Sequence, residues 1–377
     1  MSLRVGIICP YSLTMPGGVQ GQVLALARAL RAAGCNARVL GPCDGPPPDS
    51  GVTPLGNSLP AVANGSIAPV APDPAAQLRM MRALRDEEFD VLHLHEPLAP
   101  GPTMTAILLR PTPLVATYHA AGGSKAYDYL NPGVRWLAGR IHRNFAVSED
   151  AHQMARRSLG GEYEVVFNGV EVSRYAPPAG SARTGSANAS SGPQRPSVFF
   201  LGRHEPRKGL AVLIDAMKKI PDAQLWVAGD GPETEALQRL TAGDPQVSWL
   251  GRITETEKID RLRAADVLCA PSLRGESFGV VILEAMAAGT AVVASDLAGY
   301  ARVARNGLDA VLVPPGDVEL LADALSGVLF TPGRMTELQQ SGQRRAESFS
   351  MRRLAEVYHG AYEELVANRA SLRTSSS

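Results

Sequence analysis

The chain has 377 residues, 37 Lys+Arg against 37 Asp+Glu, 45% hydrophobic and 5% aromatic residues. That apolar content fills a sizeable core and excludes a disordered chain, and the length predicts two domains or one large one. Zero net charge excludes the basic surplus of a nucleic-acid binder, and the balance is local too: residues 1–176 carry 15 basic and 14 acidic groups, the rest 22 and 23.

In chain order, Arg4–Cys9 reads as a buried strand. No charged segment precedes a long apolar stretch, and no run reaches about 18 apolar residues. A cytosolic chain without secretory signal or membrane span is therefore expected. The turn Met15-Pro-Gly-Gly-Val-Gln20 leads into a helix with Val23, Leu26, Leu30 and Ala33 on one face. Gly17 and Gly18 let the backbone approach a ligand, and a helix N-terminus favours an anion. The pattern is not GxGxxG, so the dinucleotide fingerprint is absent, and a tight connection is the competing reading.

Further strands are predicted at Ala37–Leu40, Phe89–His93, Pro113–Tyr118, Phe145–Ser148 and Glu164–Phe167. Runs continuous in Val, Ile and Leu suit a parallel sheet covered on both faces. His119 ends one of these strands and suits a hydrogen bond to a sugar hydroxyl or phosphate; a structural histidine is the alternative. His93 and His95 have metal-like spacing but no third ligand in sequence, so no metal site is predicted and Glu96–Pro97 reads as cleft lining. Cys9, Cys35, Cys43 and Cys269 contain no CxxC pair, which excludes a disulfide scaffold or zinc site.

Pro177–Pro196 contains no Val, Ile, Leu, Met or aromatic residue and reads as a linker. Strand–helix alternation then resumes at Ser197–Leu201, Gln224–Ala228, Val247–Leu250, Asp266–Ala270, Ala291–Ser295 and Ala310–Val313, and Met351–Ala367 reads as a final amphipathic helix. Two βαβ arrays predict an α/β protein with two doubly wound sheets. Right-handed crossovers would set the strand carboxyl ends around one cleft, where ligands of such sheets bind.

Two loops of the second array carry chemistry. Arg203 and Lys208 bracket a turn between Gly202 and Gly209 that opens a helix, giving two cations and a positive helix end suited to a pyrophosphate. Pro271-Ser-Leu-Arg-Gly-Glu276-Ser-Phe-Gly279 precedes a helix bearing Glu284, eight residues after Glu276 and about two turns along. Carboxylates accept from vicinal hydroxyls, so the pair suits a sugar and a ribose. Glu276 also suits a helix start on electrostatic grounds alone, whereas Glu284 in an apolar helix needs a partner. No two aspartates lie two apart, so there is no DxD clamp for a metal–diphosphate.

Arg203…Arg207-Lys208-Gly209 with Glu276-Ser-Phe-Gly279…Glu284 resembles the donor site of the retaining, GT-B fold family-4 glycosyltransferases, and Gly17-Gly18 with His119 resembles their N-terminal domain. The likeness covers nearly the whole chain apart from 177–196 and the extreme termini. Within the family, Cys9-Pro-Tyr-Ser12, Asn64-Gly-Ser66 and Phe89–Pro97 are similar to the actinobacterial phosphatidyl-myo-inositol mannosyltransferase branch.

The resemblance implies two Rossmann-like domains facing a central cleft. Residues 1–176, with a C-terminal crossover helix 351–369, would bind the acceptor, and 197–350 a nucleotide-sugar donor. The implied reaction moves mannose from GDP-mannose to the inositol of phosphatidyl-myo-inositol, with His119, Arg203, Lys208 and Glu276 as the catalytic set. Gly17 and Gly18 would back the pyrophosphate that Arg203 and Lys208 bind. Glu276 would hold the sugar hydroxyls and Glu284 the ribose, with Ser277, Phe278 and Gly279 also binding the donor. Tyr11, Gln20, Asn64, Lys125 and Arg207 would face the acceptor. No tightly bound cofactor is implied, and a divalent cation is left open without a DxD motif to hold it.

The departures fall on the acceptor side. Ala68-Pro69 stands where the family places an arginine, and Ala120-Ala-Gly-Gly123 replaces a threonine-rich loop, although Lys125 follows. Arg79, Arg82 and Arg85, interleaved with Leu78, Met80, Met81 and Leu84, suit an anionic bilayer on the inner face of the plasma membrane, or equally an ordinary surface helix. The rival functions are a transferase of this fold with another nucleotide sugar or a small soluble acceptor, and a nucleotide-sugar epimerase or binder.

Overall fold

The apolar N-terminal run forms β1 (Arg4–Ile8), and α1 (Gly18–Ala32) and β2 (Asn36–Gly41) follow it. The computed structural model describes residues 2–15, 17–63, 66–119, 131–178 and 195–374; Asn64, Lys125 and most of the 177–196 segment lie outside them. The chain divides into two units, Met1–Gly169 with Met351–Ser377, and Val170–Ser350.

The first unit continues with β3 (Val52–Pro54), the antiparallel hairpin β4 (Leu59–Ala63) and β5 (Ser66–Val70), α2 (Pro74–Asp86) and β6 (Val91–His95). Then come α3 (Pro102–Leu109), β7 (Leu114–Tyr118), α4 (Asn131–Ala138), β8 (Arg143–Ala146), α5 (Glu149–Leu159) and β9 (Glu164–Val165). The sheet order is β3-β2-β1-β6-β7-β8-β9, all parallel. The hairpin stands outside it but is tied to the loop after β1, where Tyr11 bridges Val70 and Ser12 N–H donates to the Pro69 carbonyl at 2.9 Å.

Two strands sit later or earlier than the apolar runs suggest, for reasons of capping. The sixth strand is Val91–His95 and not Phe89–His93, because Val5 registers with Val91 and the Asp90 carboxylate accepts the Arg4 N–H at 2.8 Å. The eighth is Arg143–Ala146 and not Phe145–Ser148, because the Ser148 hydroxyl caps α5 by accepting the Ala151 N–H at 3.1 Å. The C-terminal helix Met351–Thr374 belongs to the first unit, and Leu354, Tyr358 and Tyr362 share a buried cluster with Val23, Leu26 and Leu30 of α1.

The second unit begins with α6 (Val172–Tyr175) and β10 (Ser197–Leu201), followed by α7 (Leu210–Met217), β11 (Gln224–Ala228), α8 (Thr234–Leu240) and β12 (Val247–Gly251). It continues through α9 (Glu255–Ala264), β13 (Val267–Ala270), α10 (Val280–Ala287), β14 (Ala291–Ser295), α11 (Ala298–Val303) and β15 (Val311–Val313). Helices α12 (Val318–Phe330) and α13 (Arg334–Ser348) close it. Its sheet runs β12-β11-β10-β13-β14-β15, again all parallel. In both sheets the order reverses beside the first strand, and the loops leaving the carboxyl ends at that reversal are where an α/β sheet takes its ligand. In the second unit these are the loops after β10 and β13, which carry Arg203–Lys208 and Ser272–Glu276.

Candidate active site

The loop after β10 makes one 3₁₀ turn, Pro206–Lys208, and reverses at Gly209, φ 71°. A β-carbon there would lie 1.9 Å from the Pro271 carbonyl oxygen, so only glycine lets the two loops touch. The Leu273 N–H seals the contact by donating to the Arg207 carbonyl at 2.7 Å. The two loops therefore present their charged side chains together. Lys208 Nζ donates to Glu276 Oε1 at 2.6 Å, and Arg207 Nη1 approaches the same oxygen at 3.4 Å. Arg203 and Arg207 both pair with Glu205, at 3.1 and 2.9 Å. Three cations against two carboxylates leave a local positive excess within a neutral chain, as an anionic ligand requires.

The Ser272 hydroxyl donates to Glu276 Oε1 at 3.1 Å and lies 3.0 Å from the Tyr300 hydroxyl. Burial, reinforced by Glu276, pushes the Tyr300 phenol far up, so it stays a neutral donor. Glu276 is thus pre-oriented by Lys208, Arg207 and Ser272, which all meet its Oε1. Among these, Ser272 and Tyr300 carry no sequence signature and emerge only from the fold.

Glu284 occupies a different network. It projects from α10, while Glu276 sits in the loop before it, so their eight-residue spacing is not two turns of one helix. Tyr175 Oη donates to Glu284 Oε1 at 2.7 Å and Lys258 Nζ donates to it at 2.8 Å. Both donors also reach Glu255, each at 3.0 Å. The partner that a carboxylate in an apolar helix demands is therefore Lys258, one helix away on α9. Burial pushes the Lys258 ammonium down, but Glu284 and Glu255 outweigh it and the net shift is upward. Phe278 turns its ring inward, 5% exposed and edge-on to Phe349 at 5.8 Å, so the ring itself does not line the loop surface. Ser277 is half-buried, and Gly279 takes φ 88° to start α10.

In the first unit, a β-carbon on Gly18 would meet nothing within 4 Å, whereas one on Gly17 would lie 2.2 Å from the Gln20 amide oxygen. Gln20 is buried and its amide nitrogen points at the Ser12 carbonyl, 3.4 Å away. Tyr11 is half-buried beside the hairpin. His119 follows β7, half-buried, with Nε2 2.8 Å from His95 Nδ1 and its backbone N–H donating to Glu96 Oε1 at 2.7 Å. Glu96 is therefore a buried acceptor for His119. Of the α2 arginines, Arg79 donates to the Leu55 carbonyl at 3.2 Å and Arg85 pairs with Asp86 at 2.8 Å. Arg82, Leu78 and Met81 are exposed, while Met80 and Leu84 enter the core.

No cluster of three or more metal-ligating side chains occurs among the described residues. No helix of the described residues is long and apolar enough to cross a membrane. A cavity of about 780 Å³ opens beside β8 and β9, lined by Arg135, His142, Asn144 and Tyr163, and none of the predicted site residues lines it.

Solved structures share this two-unit architecture. Anabaena HepE, in complex with UDP and glucose, matches at TM-score 0.73 with 20% identity, over 96% of this chain and 100% of its own. Sucrose-phosphate synthase from Thermosynechococcus elongatus matches at 0.75 with 21% identity, over 97% and 100%. The fold is that of the GT-B glycosyltransferases. Residues 16–174 match the family described as Glycosyltransferase Family 4, and residues 195–330 match glycosyl transferases group 1. The phosphatidyl-myo-inositol mannosyltransferase of Mycobacterium leprae is 42% identical over 87% of each chain. That of Mycobacterium tuberculosis is 36% identical over 99% of this chain and 100% of its own. The chain belongs to the family-4 glycosyltransferases.

Proposed function

We propose that this chain is a retaining mannosyltransferase that moves mannose from GDP-mannose to the inositol of phosphatidyl-myo-inositol. The observation that carries the donor half is the Lys208–Glu276 pair, held at 2.6 Å where the sheet order of the second unit reverses. An ammonium for a phosphate and a carboxylate for sugar hydroxyls share that contact. The acceptor half is supported by the 36–42% identity to relatives named for it.

In this reading Val170–Ser350 takes the nucleotide sugar and the first unit takes the acceptor. Arg203 and Lys208 neutralise the diphosphate as its bond to the anomeric carbon breaks, and Glu276 fixes the sugar by its hydroxyls. Glu284 accepts from the ribose through Oε2, since its two bonds from Tyr175 and Lys258 both go to Oε1. The departing phosphate oxygen takes the proton of the attacking inositol hydroxyl on the same face, so the configuration is retained and no protein nucleophile is needed. His119 lies beside the reacting sugar, and Gly17 and Gly18 back the pyrophosphate. Tyr11, Gln20, Asn64, Lys125 and Arg207 serve the acceptor, and the chain works at the cytoplasmic membrane surface.

The test is a transfer assay with labelled GDP-mannose and UDP-glucose, each with and without phosphatidylinositol vesicles. Lipid-linked mannose from GDP-mannose alone is expected. Transfer from UDP-glucose, or to a soluble acceptor only, overturns the assignment of donor or acceptor respectively.

A further inference from the structure

His93 and His95 project from one face of β6 with ring centroids 4.4 Å apart, and His95 stacks on His119 at 5.1 Å with 27° between planes. One edge of the His95 ring is used: Nδ1 lies 2.8 Å from His119 Nε2. The other edge is not, because His95 Nε2 is buried and has no hydrogen-bond partner among the described residues, in a side chain 2% exposed.

A neutral imidazole has one N–H and one bare nitrogen, so in the contact one ring donates and the other accepts. If His119 donated from Nε2, His95 would accept at Nδ1 and bear its own proton on Nε2, as a buried N–H with no acceptor. Orphaned buried donors are rare and costly. If His95 donates from Nδ1, the unpartnered atom is only a bare ring nitrogen. The second arrangement obliges the neutral His119 ring to carry its proton on Nδ1.

We propose that His95 is a positioning residue for His119: by donating from Nδ1 to His119 Nε2, it sets the plane of that ring and fixes it as the Nδ1–H tautomer, so that His119 presents a neutral N–H donor to a sugar hydroxyl.

The surroundings hold both rings in place. Glu96 accepts the His119 backbone N–H at 2.7 Å from a left-handed φ of 47°, a conformation non-glycine residues enter at a cost. Behind the stack, His93 is held by the Tyr362 hydroxyl at 2.6 Å and Thr117 Oγ1 at 2.7 Å, and Thr117 is held in turn by the Tyr358 hydroxyl at 3.0 Å. Burial lowers His119 to about 4, so its ring is uncharged at neutral pH and acts through its N–H direction.

This inference rests on the reading that His119 lies beside the reacting sugar, and the experiment separates the two. Nitrogen-15 shifts are recorded at pH 7 on full-length protein labelled at histidine, with His119 assigned by the signal lost in His119→Asn. The expected wild-type pattern for His119 is a protonated Nδ1 and a bare Nε2. A protonated Nε2 overturns the role of His95, and this readout needs no substitution at His95. In His95→Leu, a changed His119 tautomer and a kcat lower by about 10- to 100-fold at near-constant donor KM are expected. His95→Asn, whose amide nitrogen takes the place of Nδ1, should restore the tautomer and most of the rate. Wild-type tautomer and kcat in a folded His95→Leu overturn the proposal. Full transfer by His119→Asn overturns instead the placement of His119 at the sugar, and with it the catalytic use of the pair.

Discussion

Lys208 Nζ lies 2.6 Å from Glu276 Oε1, with side-chain exposures of 22% and 12%. In the proposed reading this pair is central to the donor chemistry, because the ammonium that orients Glu276 would also supply the charge a diphosphate needs. Lys208→Ala is expected to lower kcat by about 10²- to 10³-fold, the usual effect of removing one placed electrostatic donor. Circular dichroism and a cooperative melt check that the fold survives. Near-wild-type turnover in a folded variant would remove Lys208 from the donor site.

Gly209 is the backbone counterpart of that contact. With φ 71° and 1.9 Å between its would-be β-carbon and the Pro271 oxygen, Gly209→Ala must strain the turn or part the two loops. A loss of about 2 kcal/mol or more in denaturant unfolding is expected, with donor KM raised in the same variant. Unchanged stability would mean the loops separate without cost and do not depend on this contact.

The second array could be read almost strand for strand, since its apolar runs are bounded by helix-period segments and Gly-rich turns. The first array blurred where capping moved an edge, as at Asp90 and Ser148. It also hid β3 and the β4–β5 hairpin, because Pro54, Pro60 and Pro69 disguise short strands. For the site, charged residues in Gly-flanked loops were legible, and their grouping at 203–208 and 276 followed from topology. Tyr175, Lys258 and Tyr300 were not, because each reaches its carboxylate from a separate element, and no local pattern encodes a partner 26 or 109 residues away. Ser272 shares the loop of Glu276, four residues before it, but no spacing rule marks a serine there as its partner. The His95–His119 contact was hidden for the same reason.

The Glu284 network predicts a stability change at alkaline pH. Burial and the two glutamates raise the Tyr175 phenol, and the glutamates raise the Lys258 ammonium against its burial. A raised folded value contributes stability in full below the unfolded value, near 10 for both groups, and loses it as pH climbs through the folded one. Wild-type stability should therefore fall between about pH 9.5 and 11, and less steeply in Tyr175→Phe and Lys258→Met. Chemical denaturation at these pH values checks it; parallel curves for wild type and both variants would refute the coupling.

The histidine stack predicts the opposite limb. Burial lowers His93 to about 3 and His119 to about 4, against about 6.5 in the unfolded chain. Below pH 6.5 the unfolded chain takes up protons that the folded one refuses, so stability is present above that pH and drains away toward the folded values. Each such ring adds a slope of about 1.4 kcal/mol per pH unit. His93→Gln should flatten the stability profile between about pH 5.5 and 4 by that amount. An unchanged slope would mean that His93 is charged in the fold.

Two glutamines on α1 separate structure from function. Gln22 Nε2 donates to the Gly169 carbonyl at 2.8 Å, and its Oε1 accepts the Gly169 N–H at 2.9 Å, both within the core. Gly169 is the last residue of the first unit before the chain leaves it, and Met351, where the chain returns, packs on it, with Sδ 2.9 Å from where a β-carbon would stand. Gln22→Leu orphans two buried backbone groups and should cost about 2–4 kcal/mol without any direct effect on substrate binding. Gln20, equally buried, has one bond of 3.4 Å to lose among the described residues. Gln20→Leu should cost under about 1 kcal/mol, so a raised KM for phosphatidylinositol in that variant would report contact with the acceptor. If Gln20→Leu instead unfolds as readily as Gln22→Leu at unchanged KM, Gln20 is a structural residue and leaves the acceptor site.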